Sequence, residues 1–247
     1  MYYYIVDPPQ TKADQQIVSA LRNRLIPEGL AGEFVFRTPG QSAGVLADKA
    51  LAQGFSTIVS VGSDALAGEL AAALYDQPSA LGIVPINATP ALHNIIGYSD
   101  WKAAVLALRA RKIALRDLGT INGELCFITE IEIRAPKTTH FHVHLNRFTA
   151  AIETKNIFIK LSNDNPPFDV PGVLNFAVPE LVRSSFFGFN KQSTTAFSTL
   201  LRGEQAVIQA DIEAEAIYGD MVIAKTPISL AIVPQAIRMI VASARSH

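Results

Sequence analysis

The chain has 247 residues, enough for one large domain or two ordinary ones with a substantial apolar core. Its 21 basic and 22 acidic residues give a formal charge of −1, which disfavours a protein that binds nucleic acid or an anionic membrane through a basic surface. The single cysteine, Cys126, excludes an intramolecular disulfide and fits a cytoplasmic location.

The N-terminal half alternates short apolar runs with amphipathic segments. Its first residues lack the basic start and long apolar stretch of a signal peptide or membrane span, so we expect a first strand there and no transmembrane segment. Strands are predicted at Tyr3–Val6, Glu33–Arg37, Thr57–Val61 and Gly82–Pro85. Helical spacing connects Ile17, Leu21 and Leu25, then Leu66, Leu70 and Leu74, then Trp101, Val105 and Leu108. The predicted N-caps are Ser42, Asp64 and Ser99. This alternation predicts a doubly wound, mostly parallel α/β domain over residues 1–112.

The C-terminal half has β-rich runs with few helical stretches between them. The runs are Ile113–Gly119, Glu124–Ile133, His140–Asn146, Asn156–Leu161, Gly172–Val178, Ala206–Ala216 and Ile228–Val233. They predict an antiparallel β-sandwich over residues 113–234. A last run, Ile237–Val241, either closes the sandwich or completes the first domain with residues 235–247. A cleft between the two domains is the expected ligand site.

The turn after the third strand indicates where chemistry would occur. Gly62 and Ser63 follow a buried strand, and Asp64 stands at the start of a helix. The free backbone N–H groups of a helix N-terminus attract anions, so this geometry is typical of phosphate binding. However, Ser63 and Ala65 stand where a phosphate-binding loop usually has glycine.

Several short motifs along the chain partly match the motifs of a single protein family. A Gly-Gly-Asp-Gly-Thr turn with a later Glu is matched here by Gly62, Asp64 and Glu69 alone, and Leu81–Pro85 matches Leu-Gly-Ile-Ile-Pro. The Gly-Thr-Gly-Asn-Asp loop that should follow reads Ile86–Ala91 instead. An Asn-Pro-x-Ser-Gly-Lys loop is matched at Asp7–Lys12 by Pro8 and Lys12 alone. Further matches occur at Thr38, Asp117–Gly123 with Phe127, Thr226-Pro227 and Pro234–Arg238. On these motifs the chain resembles the diacylglycerol kinase and sphingosine kinase family of lipid kinases, whose fold is shared with NAD kinases and 6-phosphofructokinases.

The resemblance implies a set of site residues. The nucleotide-binding positions would be Lys12, Thr38, Gly62, Ser63, Asp64, Glu69 and Asn87, with ATP and magnesium as cofactors if the protein is active. The family's Asp-Gly-Glu, whose Asp is the implied general base, corresponds to Tyr218-Gly219-Asp220. The catalytic candidates are therefore Asp64 and Asp220.

Each of these residues also has a simpler interpretation. Asp64 can act as an N-cap, and Glu69 can be a surface acid that complements the helix dipole. Lys12 can be a solvated loop lysine, and Asp220 a turn residue.

Three histidines alternate along one predicted strand. His140, His142 and His144 would share one face, opposite Phe141 and its apolar neighbours. Two histidines at this spacing can bind zinc if a third ligand converges from elsewhere. No acid or cysteine follows at metal-site spacing, which favours a solvent-facing polar face and no metal.

Three functional hypotheses remain open from the sequence. The first is a lipid-kinase-like protein with eroded ATP-binding loops that binds a nucleotide or lipid with weak or no transferase activity. The second is an active ATP-dependent lipid kinase that phosphorylates a lipid hydroxyl. The third is a scaffold or partner-binding protein, and a rather apolar composition also allows a homo-oligomer.

Overall fold

The structure is a computed structural model that describes residues 1–38, 40–145, 148–161, 173–186, 189–219 and 221–242. At positions 125, 126, 179–186 and 189–200 it describes the backbone only.

The N-terminal part is an α/β unit in which strand and helix alternate. The strands are β1 (Tyr2–Val6), β2 (Gly32–Phe36), β3 (Thr57–Gly62) and β4 (Ala80–Pro85), and the helices are α1 (Lys12–Leu25), α2 (Ala43–Ala52), α3 (Asp64–Ala73), α4 (Pro90–Ile96) and α5 (Trp101–Ala110). The four strands are parallel in the order β2-β1-β3-β4. Every residue of β3 and β4 is buried, as expected for central strands covered by helices on both faces.

The remainder of the described chain is β-rich and pairs antiparallel. Its strands are β5 (Ile113–Ile121), β6 (Leu125–Phe127), β7 (Glu130–Leu145), β8 (Phe148–Leu161), β9 (Leu174–Phe186), β10 (Phe189–Gly203), β11 (Gln205–Ala210), β12 (Glu215–Tyr218), β13 (Met221–Lys225) and β14 (Ile228–Ile240). The main order continues β14-β11-β7-β8-β9-β10, while β5 pairs with β14 and β12 pairs with β7. The predicted fold class is therefore confirmed.

Strand β14 connects the two parts. Its first half lies antiparallel to β11, with Ile208 opposite Ile228, and its far end lies parallel to β4, with Met239 opposite Leu81. The last apolar run thus returns to the α/β part, which is one of the two alternatives that the sequence left open. The boundary between residues 112 and 113 stays a prediction.

Two predicted N-caps are wrong. Ser42 caps α2 as predicted, but α3 is capped by Ser63, whose Oγ accepts from the Leu66 N–H, and Asp64 is its first helical residue. Helix α5 is capped by Asp100 rather than Ser99, because the Asp100 carboxylate accepts from two N–H groups of the first turn.

Several predicted element boundaries also differ from the structure. Helix α4 was not predicted, although Thr89 caps it and Pro90 occupies its first position. The run Glu124–Ile133 contains β6 and the start of β7, while Ala206–Ala216 contains β11 and part of β12. The run His140–Asn146 is the end of the long strand β7 as far as Leu145, and Asn146 lies outside the described residues.

Candidate functional site

The carboxyl ends of β1 to β4 meet at one edge of the parallel sheet, and the helices that follow them begin there. In open α/β sheets this edge is the usual ligand site. The first N–H groups of each helix have no partner within the helix, so they need an acceptor from elsewhere. In this structure the N-cap hydroxyls of these helices accept some of these bonds, and acidic side chains of the chain itself accept from further N–H groups at the helix starts.

Asp14 and Glu69 accept hydrogen bonds from backbone N–H groups at the starts of helices α1 and α2. Asp14 lies in the first turn of α1, and its Oδ2 accepts from the N–H groups of Gln10 at 3.1 Å and Thr11 at 3.0 Å. Glu69 comes from the neighbouring helix α3, and its Oε2 accepts from the Ala43 N–H at 3.0 Å. Each carboxylate therefore lies where a bound anion would stabilise a helix N-terminus.

Helices α3 and α4 have the same arrangement. The Oδ2 of Asp7, which follows β1, accepts from the Ser63 N–H at 3.2 Å and the Ser63 hydroxyl at 2.8 Å. Asp64 accepts from Thr89 through both oxygens: from the N–H at 2.8 Å and from the hydroxyl at 2.6 Å. Asp64 is only 3% exposed, so its carboxylate is buried, and each of its oxygens accepts a hydrogen bond.

One cation joins two of these acids. The Arg37 guanidinium, just after β2, contacts Asp7 at 3.3 Å and Glu69 at 2.5 Å. Glu69 therefore links α3 to the start of α2 and to Arg37, which is more than the surface acid of the simpler interpretation. Four carboxylates and one guanidinium take part in these contacts among the described residues, so the edge is strongly acidic.

Little open space remains beside the turn. A cavity of about 30 Å³ lies between the Asp7–Gln10 loop, Gly62, Ser63 and Asn87, which is room for about one water molecule. Gly62 is required there, because a Cβ on it would lie 2.8 Å from Cγ of Asp7. The Asn87 side chain donates to Asp14 at 3.3 Å, and Asn87 itself has a left-handed backbone with φ of 56°.

The hydrogen bonds that the Asp14 carboxylate accepts determine the direction of its pKa shift. Burial alone would raise it, but the hydrogen bonds donated by Thr11, Asn87 and Gln10 outweigh burial and hold the pKa below its ordinary value. Asp14 is thus an ionised, structural carboxylate, and it was not among the predicted site residues. The signal that could have found it is the capping box from Thr11 to Asp14.

The remaining predicted site residues lie at the rim of this edge or outside the described residues. Lys12 opens α1 with an exposed side chain, and Thr38 is exposed and bonded to the Gln41 side chain at 3.1 Å. Asp220 lies outside the described residues. The structure thus brings Gly62, Ser63, Asp64, Glu69 and Asn87 to the same edge of the sheet as Lys12 and Thr38.

A larger cavity of about 430 Å³ lies between the two parts of the molecule. One side is formed by α2 and α3, and the other by Tyr218 and β13. Its lining is largely apolar, and the polar groups are Ser42, Asp48, Glu69 and Glu124 beside the Tyr218 ring. This volume is within the range of small-molecule sites.

Tyr218 lines this cavity and is 4% exposed. Burial raises the pKa of its phenol well above the ordinary value, and the nearby Asp64 charge adds to the rise, whereas Thr129 and the Ile128 backbone moderate it. The hydroxyl makes no hydrogen bond of ordinary geometry with the described residues. A neutral, buried phenol of this kind is a poor proton acceptor, so it does not replace the carboxylate base that the resemblance implies.

A further groove of about 760 Å³ lies on the β-rich part, beside His144, Phe148 and Val207. It contains none of the nucleotide-binding or catalytic residues that the resemblance implies.

Among the helices of the described residues, none has the length and apolar character needed to span a membrane.

Comparison with solved structures identifies the class of fold. A diacylglycerol kinase from Bacillus anthracis str. Sterne superposes with a TM-score of 0.73 at 14% identity, covering 98% of this chain and 97% of the other. Two further structures from that organism, of proteins assigned as diacylglycerol kinases, give TM-scores of 0.75 and 0.74 at 13% identity, with 96% or more of each chain covered. The chain therefore has the diacylglycerol kinase-like fold that its motifs predicted.

The similarity to these proteins is much weaker in sequence than in structure. No protein-family model matches the chain, and no curated protein is similar to it. At 13–14% identity the structural likeness establishes the fold alone.

Proposed function

We propose that this protein binds a lipid-like small molecule in the cavity between its two parts and does not transfer phosphate to it. The proposal rests on the burial and the hydrogen bonds of the Asp64 side chain. Both of its carboxylate oxygens bond Thr89, and the side chain is buried. A magnesium ion would have to reach a carboxylate that is buried and that already accepts two hydrogen bonds.

The surrounding edge supports the same conclusion. A triphosphate is bound mainly by backbone N–H groups and cations that neutralise its charge. The N–H groups of Ser63, Thr89 and Ala43 already bond carboxylates of the chain. Nucleotide phosphates would have to displace these carboxylates and would meet their negative charge.

The cavity of about 430 Å³ supports lipid binding. It joins the α/β part to the β-rich part, and residues such as Ala65, Ala72 and Ile223 give it an apolar lining. The structural neighbours are described as diacylglycerol kinases, and their acceptor class is lipid. We therefore infer that the acceptor side of the fold is retained while the nucleotide side is closed by its own side chains.

Three measurements on the purified protein test this proposal. Calorimetric titration with ATP and magnesium should give no saturable heat, and a mixed-micelle assay with radiolabelled ATP and diacylglycerol should give no labelled lipid. Native mass spectrometry of the freshly purified protein should show a retained lipid-sized mass. Labelled lipid that disappears in an Asp64→Ala variant would instead establish the active ATP- and magnesium-dependent kinase. Retention of no ligand, together with a co-purified protein, would favour the partner-binding alternative.

A further inference from the structure

The histidines of β7 form a polar face on the β-rich part, away from the carboxyl edge. Phe141, Val143 and Leu145 are buried on one side of the strand, and His140, His142 and His144 point to the other. This confirms the alternation that the sequence predicts. The sequence left open whether a third ligand meets any two of the imidazoles.

An acid on the connection after β11 is the candidate third ligand. Asp211 lies beside two of the histidines: its Oδ2 is 3.4 Å from His140 Nδ1, and its Oδ1 is 3.3 Å from His142 Nε2. The Asp211 N–H also donates to the His140 carbonyl at 3.1 Å, which holds this connection against β7. All three side chains are more than 40% exposed, so an ion from solvent can reach them.

We propose that His140, His142 and Asp211 form a zinc site. Imidazole nitrogen and carboxylate oxygen are ligands that zinc prefers, with bonds of about 2.0–2.2 Å. The three side chains already lie side by side, and both imidazoles contact Asp211 at separations ordinary for a hydrogen bond or ion pair.

Binding requires one local rearrangement. As the side chains stand, no group of three or more histidine, cysteine, aspartate or glutamate residues in the described ranges could hold a metal ion. The two imidazoles meet different oxygens of Asp211, so a rotation of these exposed side chains must bring the three donors together. Such rotations between staggered conformers are inexpensive at exposed positions.

The neighbouring strand adds a second acid. Glu153 on β8 is directly opposite His140 in the antiparallel register, so the two side chains share one face of the sheet. Its charge favours a cation there, and its carboxylate is a candidate fourth ligand. His144 instead has a different partner, because its Nδ1 lies 2.9 Å from the Thr149 hydroxyl.

The site can be tested on the full chain without an affinity tag. Titration with zinc chloride should show one bound ion per chain, and His140→Ala or His142→Ala should weaken binding by roughly tenfold or more, because each removes a direct ligand. Zinc should also raise the melting temperature of the unmodified protein, since the ion links β7 to the connection after β11. Asp211→Asn should reduce both effects.

His144→Ala is the matched control, because it removes an imidazole from the same strand face without touching Asp211. Its zinc affinity should equal that of the unmodified chain. The proposal is overturned if no saturable zinc binding occurs, if His142→Ala binds as tightly as the unmodified chain, or if His144→Ala weakens binding as much as His142→Ala does. The melting temperature of each variant without zinc shows that it is folded.

Discussion

At the scale of single residues, Gly68 and Tyr218 illustrate how one position constrains another across the molecule. Gly68 lies in the middle of α3, where glycine is an unfavourable helix residue. A Cβ on it would lie 2.5 Å from Cε1 of Tyr218 and 2.9 Å from the phenolic oxygen. The absence of a side chain at 68 therefore gives room for the aromatic ring that lines the cavity between the two parts.

Gly68→Ala should destabilise the protein by about 1–3 kcal/mol, because the added methyl group forces the buried Tyr218 ring to move. Chemical denaturation monitored by circular dichroism measures this change. Gly44→Ala is the matched control in a neighbouring helix, where the nearest atom to an added Cβ is the Ser42 Oγ at 3.3 Å. It should be neutral or stabilise by up to about 1 kcal/mol.

The double variant separates the clash from other effects. If the Tyr218 ring is the cause, Gly68→Ala should cost less in a Tyr218→Ala background than in the unmodified chain. An equal cost in both backgrounds would show that the ring is not responsible.

At the scale of elements, the helices that begin at the carboxyl edge are stabilised by carboxylates rather than by bound anions. Asp14, Glu69, Asp7 and Asp64 each accept from a backbone N–H at the start of one of these helices. A negative charge at this position also interacts favourably with the helix dipole. The helix starts at this edge are thus stabilised by negative charge, as in a phosphate site, but the negative groups belong to the chain.

The lowered pKa of Asp14 predicts a pH dependence. Because this pKa is lower in the folded protein than the ordinary 3.8, the ionised carboxylate stabilises the fold above that value. The stabilisation should decline as the pH falls through 3.8 and disappear below the folded pKa. Asp14→Asn should therefore lower the free energy of unfolding at pH 7 and reduce the difference between pH 7 and pH 3, both measured by urea denaturation. An unchanged pH dependence in this variant would contradict the assignment.

Asp7→Ala should create an anion site. It frees the N–H and hydroxyl of Ser63 and leaves Arg37 without one of its two acids. Sulfate should then raise the melting temperature of this variant more than that of the unmodified chain, because a ligand that binds only the folded state stabilises it.

Asp7→Asn is the control for that experiment, because its amide oxygen can still accept from Ser63 and fill the site. It should respond to sulfate like the unmodified chain, in which only general salt effects act. Equal sulfate responses in all three proteins would show that Asp7 does not occupy an anion position.

At the scale of the whole molecule, β14 makes the two parts depend on each other. Ile228 and Leu230, near its start, belong to the hydrophobic cluster of the β-rich part, whereas Met239 and Ile240, near its end, belong to the cluster under the parallel sheet. The cavity between the parts also has walls from both. Loss of either core should therefore disturb the other.

The molecule should unfold in one cooperative transition, and Met239→Ala should shift that whole transition. Met239 is fully buried, so its truncation should cost about 2–5 kcal/mol. Differential scanning calorimetry gives the test, since a single transition has equal calorimetric and van't Hoff enthalpies. Two transitions, only one of which moves in Met239→Ala, would show that the parts unfold independently.

The sequence by itself determined the α/β order of the first half, the β-rich character of the second, and the resemblance to lipid kinases around Gly62 and Pro85. These properties follow from local periodicity and short motifs, which one stretch of chain carries alone. The tertiary structure decided which side chains contact one another at the candidate sites. Asp7 meets Ser63, Asp64 meets Thr89, and His142 meets Asp211 only because strand pairing and helix packing bring distant segments together. The turn at Gly62–Leu66 was visible in the sequence, but the carboxylates that occupy this edge depend on contacts across the fold.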